Sequence, residues 1–322
     1  MKIHTAIFFP ALLALLSGAW PTAQAQEAVT PAIPGVVNAG TTIQLVKDGF
    51  EAVEGPLPQL DDGLIFTNNR VGRIVQIAPD GAVSAWYEGT GGANALTRTP
   101  KGDVVATLAD GLAIGVVRPG EAPRVLVGNY EGTPFNRPND LVAGKRGDIY
   151  FTDTVPLTAT KPGVIPSALY QLTAKGKLVR IAADIARPNG VALSPDERTL
   201  YVANTSGEWV FAFELDRKGR AKKRRDFAKL ALPPPPQNGA STIGGAGADG
   251  LAIDEKGRLY AATTLGVQVF SPDGAPLGII TLPKQPQNLA FAGPGRSALF
   301  VVGRGAVYRI ATLTRGPHRP GK

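Results

Sequence analysis

Cysteine is absent from the 322-residue chain, and histidine occurs only at His4 and His318. The first absence excludes disulfides, thiolate nucleophiles and thiolate metal sites. The second leaves no imidazole in the body of the chain, so a Ser-His-Asp triad has no base and a histidine-rich zinc site has no ligands. Any metal must sit on oxygen, which points to a hard cation such as calcium or magnesium. Long helical stripes are missing, as are membrane-length apolar runs after the N-terminal segment. In their place, 39 glycines and 28 prolines mark frequent turns. With 43% apolar and 19% charged residues, the composition is that of a folded globular protein.

The N-terminus reads as an export signal. Lys2 supplies the charge, residues 6–19 form an apolar run too short to span a bilayer comfortably, and Ala23-Gln24-Ala25 is a small-x-small cleavage site. This predicts a periplasmic or secreted protein cleaved after Ala25, with no integral membrane span thereafter; a retained anchor is the alternative. Removing residues 1–25, which hold one lysine and no acid, lowers the net charge from +8 to +7. The basic excess is concentrated in residues 217–225 (RKGRAKKRR). In an exported protein nucleic acid is not the expected partner. The run reads as a solvated hairpin between two outer strands, with attraction to an anionic envelope surface as the alternative.

One unit recurs. An Asn, Asp or Glu opens a short apolar strand, a turn follows, and a second, more apolar strand comes next. Glu54, Asn94, Asn139, Asn189, Asp249 and Asn288 open the six copies, at intervals of 40, 45, 50, 60 and 39 residues. A period of roughly 40–50 residues built from strands alone is the signature of propeller blades. The long interval holds one insertion, four prolines at 233–236 followed by QNGASTIGGAG. Each unit holds about four strands rich in Val, Ile, Leu and aromatics, bounded by PDG, KGR and KGD turns. The sixth supplies only three (LAFAG, ALFVV, AVYRIAT). A ring must close, so residues 41–47 (TTIQLVK) are the expected donor of the missing strand. The expected architecture is an all-β, six-bladed β-propeller with four-stranded blades, closed by an N-terminal strand. Its segments are a signal peptide over 1–25, a lead-in over 26–40, the propeller over 41–313 and a polar basic tail over 314–322. A pair of sandwiches or a parallel β-helix explains the recurring polar residue or the period less well.

The innermost strand of each blade lines the central channel, so equivalent residues at its start form a ring at one end. Six oxygen-bearing side chains, two of them carboxylates, are expected to converge there. Two carboxylates in a partly desolvated channel are costly without a counter-charge, and one divalent cation neutralises the pair and takes up the amide oxygens. Calcium is the first expectation, with magnesium, manganese or zinc as alternatives. Asn and Asp are also common turn residues. Asn94 and Asn288 are the weakest members and fit a structural role, a supporting one or contact with a ligand.

The sequence resembles the senescence marker protein / gluconolactonase / luciferin-regenerating enzyme family across residues 50–311. The resemblance is carried by VEGP at 53–56, NRPNDLV at 136–142, IYFTD at 149–153, RPNGVALSPDERTLYVAN at 187–204 and ADGLAIDEKGRLY at 248–260. It implies that Glu54 and Asn189 bind metal, and that Asp249 both binds metal and serves as catalytic base. It further implies that Asn139 lies near metal and substrate, and that Arg137 contacts substrate. Asn94 joins Arg137 and Asn139 as a substrate-binding candidate. The segment after IYFTD departs from the family, so the substrate-facing loop 154–167 differs. Asp140 is expected to tighten the Asn139 turn, and Asp153 to be structural.

The expected activity is hydrolysis of a lactone or related ester. The cation would act as Lewis acid on the carbonyl oxygen, and Asp249 would activate water or attack directly. Arg137 would hold a hydroxyl or carboxylate of the substrate through its planar fork. The alternatives are phosphotriester hydrolysis on the same metal ring and a non-catalytic binding propeller. The partner is a small molecule, and nothing in the sequence requires more than a monomer.

Overall fold

The computed structural model describes residues 28–156, 165–235 and 244–319. Residues 1–27 (which include the expected signal peptide), the middle of the 154–167 loop and most of the insertion after Pro235 lie outside the described residues. The rest is a six-bladed β-propeller. Blade 1 comprises Val53–Pro58, Leu64–Asn68, Arg73–Ile77 and Val83–Glu88, hydrogen-bonded in that order. Blades 2 to 5 repeat the meander, starting at Ala93–Arg98, Pro138–Ala143, Pro188–Leu193 and Leu251–Ile253. Blade 6 runs Asn288–Ala292, Ala298–Gly303, Ala306–Ala311 and ends on Gln44–Asp48, which pairs antiparallel with Ala306–Ala311. The closing strand therefore begins later than residue 41, because Thr42 bridges Val29 of the lead-in instead.

The first strands of successive blades pack side by side all the way round, and that of blade 6 packs back on that of blade 1. They are buried on both faces, which is why they read as continuous apolar runs rather than as alternation. Outer strands are more open to solvent, Val83–Glu88 largely exposed and Leu178–Ala182 largely half-buried. The core is divided into six clusters, one in each seam between neighbouring blades. Leu57, Ile65 and Leu96 fill the seam of blades 1 and 2, for example. The lead-in is docked: Ile33, Val36 and Val37 are buried in the seam of blades 5 and 6.

Two segments differ from the sequence expectation. The basic run is not only a hairpin between strands. Residues 216–220 form the turn, and Ala221–Lys229 is itself the outer strand of blade 4. The polar tail, as far as Arg319, is docked on the propeller. It crosses the base of the channel, where the Gly316 N–H donates to the Arg296 carbonyl at 3.0 Å and the Glu255 N–H to the Arg315 carbonyl at 2.8 Å. Arg319 is buried there and donates to the Ser194 carbonyl of blade 4 at 3.3 Å. A polar tail is held in this way because its arginines and backbone supply the donors and acceptors that the inner hairpins leave open.

Candidate metal centre

The six residues that open the blades occupy equivalent positions. Glu54, Asn94, Asn139 and Asn189 are each the second residue of an inner strand. Asn288 is the first residue of its strand, and Asp249 lies two residues before Leu251–Ile253. Side-chain and backbone contacts link them round the channel. The Asn94 side-chain amide donates to the Asn139 carbonyl at 3.0 Å. The Gly190 N–H, next to Asn189, donates to the Asp249 carbonyl at 3.0 Å. The Asn288 side-chain amide donates to Glu54 Oε2 at 2.9 Å, joining the last blade to the first. Glu54, Asn94, Asn189 and Asn288 are buried, while Asn139 and Asp249 are half-buried.

Two repeated devices hold these residues, and neither was read from the sequence. In blades 1 to 3 a threonine of the second strand donates to the carbonyl of the next blade's ring residue. The pairs are Thr67 to Asn94 at 2.7 Å, Thr107 to Asn139 at 3.1 Å and Thr152 to Asn189 at 2.8 Å. An acceptor at the end of the second strand also grips the backbone N–H two residues before the ring position. Asn68 holds Ala52 at 3.3 Å, Asp153 holds Arg137 at 2.7 Å and Asn204 holds Arg187 at 3.1 Å. Asp153 takes two further bonds from Asn136, at 2.9 Å each, which anchors the NRPND segment. The sequence signal was present as the endings TN, TD and AN of second strands.

The ring side chains do different work. Asn94 has both ends occupied, since its Oδ1 accepts from Asn69 at 2.7 Å. Asn288 points its amide at Glu54 and its Oδ1 at the Leu289 N–H, 2.9 Å away. Among the described residues the Asn139 side chain has no such partner, and Arg137 is exposed beside it. Asn189 bonds Thr205 at 3.1 Å and also hydrogen-bonds the Asp249 carboxylate. Asp140 is buried, with its carboxylate accepting from Leu141 at 2.8 Å and Val191 at 3.3 Å, so it ties blade 3 to blade 4 rather than merely tightening a turn.

Asp249 retains some open surface in the channel, but dense protein surrounds its carboxyl. Burial first, and then the charges of Glu54 and Asp140, push that carboxyl well above its ordinary range. The bond from Asn189 and the charge of Arg304 act the other way. The structure thus brings Glu54, Asn189 and Asp249 to one place. Among the described residues no three of His, Cys, Asp and Glu converge as ligands. What the ring offers is two mutually repelling carboxylates with amide oxygens beside them. That donor set fits a hard divalent cation and suits a soft one poorly.

The sequence profile of the SMP-30/Gluconolactonase/LRE-like region matches residues 53–304. The chain is 31% identical over 313 residues to a gluconolactonase of Zymomonas mobilis, covering 89% of this chain and 86% of that one. A gluconolactonase from Xanthomonas campestris superposes with a TM-score of 0.75 at 27% identity, covering 89% of this chain and 97% of the other. A calcium-binding regucalcin from Agrobacterium tumefaciens shares the fold with a TM-score of 0.72 at 20% identity, over 87% of this chain and 97% of that one.

Proposed function

The chain belongs to the SMP-30/gluconolactonase/LRE-like family, and from that premise we propose that it hydrolyses a sugar-type lactone at the mouth of its channel, with Asp249 as base. The observation that carries this reading is the place of the Asp249 carboxyl, half-buried at the start of its blade, within reach of the charges of Glu54 and Asp140 and hydrogen-bonded by Asn189. The similarity to gluconolactonases over most of the chain supplies the substrate class.

Glu54, Asn189 and Asp249, with Asn139 beside them, would hold a divalent cation, calcium first. The chemistry such an ion supplies when bound is positive charge near the oxygen that turns negative as the lactone opens. The chain's own groups do the rest. Asn288 fixes Glu54, and Asn189 aims the Asp249 carboxylate. Asp249 takes a proton from the water whose oxygen adds to the lactone carbonyl. The carbonyl carbon–ring oxygen bond then breaks, and the released alkoxide regains a proton, giving a hydroxy acid. The side-chain amide of Asn139 and the fork of Arg137 orient the hydroxyls of the sugar.

The test is hydrolysis of gluconolactone by the Asp249→Asn variant, whose side chain keeps its size and loses its basicity. Turnover falls by at least about a hundredfold while the circular dichroism spectrum stays that of the parent. Parental turnover in the variant would remove Asp249 from the role.

A further inference from the structure

The base of the propeller, opposite the mouth, carries a feature that lactone chemistry does not use. Between blades 2 and 3 lies a cavity of about 310 Å³, at the small end of the range for ligand sites. Its walls are apolar, from Val105, Val116, Ile149 and Leu172. Its rim is cationic, from Lys101, Arg124, Lys145 and Arg146. Asp103 also lies there, but it is held by Arg118 at 2.6 Å.

The basic hairpin of blade 4 continues this rim. Gly219 at its tip accepts from the Tyr150 hydroxyl at 2.6 Å, and a side-chain carbon on Gly219 would collide with Arg146. Arg217, Lys218 and Lys223 are exposed along the hairpin and its strand. Among the described residues no carboxylate forms an ion pair with these three or with Lys101, Arg124 or Lys145. Lysines on an outer strand also guard its open edge against pairing with other chains. That role does not explain Lys101, Lys145 and Arg146, which sit in inner hairpin turns.

We propose that this flank of the base docks on an anionic phospholipid surface, with head groups on the rim and hairpin and the end of one acyl chain in the cavity between blades 2 and 3. Long cationic side chains around an apolar opening match a lipid that is charged at one end and apolar at the other. Docking by the base leaves the mouth facing solvent, at the opposite end of the channel.

The experiment measures partitioning of the full chain onto vesicles of phosphatidylcholine with and without about one third phosphatidylglycerol. The apolar N-terminal segment is then common to every sample. The full chain binds anionic vesicles at least about tenfold more strongly than neutral ones at low salt. The variants Arg217→Gln/Lys218→Gln/Lys223→Gln and Lys101→Gln/Lys145→Gln each lose most of that preference and keep parental lactone turnover. Equal binding to both vesicle types would overturn the proposal, as would an undiminished preference in both variants.

Discussion

Chemically identical residues at the mouth are told apart by which of their hydrogen bonds the protein already makes. Asn94 and Asn288 have donor and acceptor both engaged, and among the described residues the Asn139 side chain has neither engaged. Asn288 is therefore a positioning residue for Glu54. Removing its amide takes a charge-assisted donor from a buried carboxylate, a loss of about 1.5–3 kcal/mol. Asn288→Ala is expected to lower stability by about 2 kcal/mol, read from urea unfolding with chelator present. Addition of calcium recovers part of the loss, because an ion bound at Glu54 offsets the missing donor. A purely structural asparagine, remote from the ion, would give the same deficit with and without calcium.

In blades 3 and 4 the start of the inner strand is fixed by its neighbours rather than by its own propensity. The threonine and strand-end acceptors described above hold the backbone on both sides of the ring residue. Gly190 adds a steric condition. A Cβ there would lie 2.1 Å from the Asp249 carbonyl oxygen, a backbone atom that cannot swing aside. Gly190→Ala therefore displaces Asp249, the residue proposed as base. The expected result is a fall in kcat of about a hundredfold and a stability loss of about 1–3 kcal/mol, from steady-state kinetics and denaturation of the same sample. Unchanged kcat would show that the close approach of blades 4 and 5 is irrelevant to catalysis.

At this scale the sequence was informative where chemistry repeats and silent where packing decides. Six polar residues at near-regular intervals marked the blade starts, because a channel ring needs one oxygen-bearing side chain per blade. The count of strands in the sixth unit, three where the others hold about four, exposed the missing strand of blade 6. Thr67, Thr107 and Thr152 escaped notice because threonine is also an ordinary strand former, and only the structure shows each hydroxyl reaching the next blade. The sequence could not separate Asn94 from Asn139 either, since their difference lies in whether Asn69 stands close by. Nor could the tail be placed, because Gly-Pro-His-Arg has no periodicity to reveal that Arg319 would be buried.

At the scale of the whole molecule, closure makes the site. Gln44–Asp48 completes blade 6, whose inner strand then brings Asn288 against Glu54, the two lying 234 positions apart in the chain. The lead-in seals the seam of blades 5 and 6, and the C-terminal segment crosses the base, so opposite ends of the channel have different chemistry. The blade-opening acids and amides gather at the mouth, and the cationic rim of the cavity lies at the base. The proposed catalysis belongs to the first end and the proposed membrane contact to the second.

The claim on which this rests is that side chains from separate blades share one cation. Calorimetric titration of calcium into the full chain, stripped beforehand with chelator, tests it directly. The account predicts one ion bound per chain by the parent and none by the Glu54→Gln/Asp249→Asn variant, with the fold of both intact. Absence of binding by the parent, or undiminished binding by that variant, would contradict it.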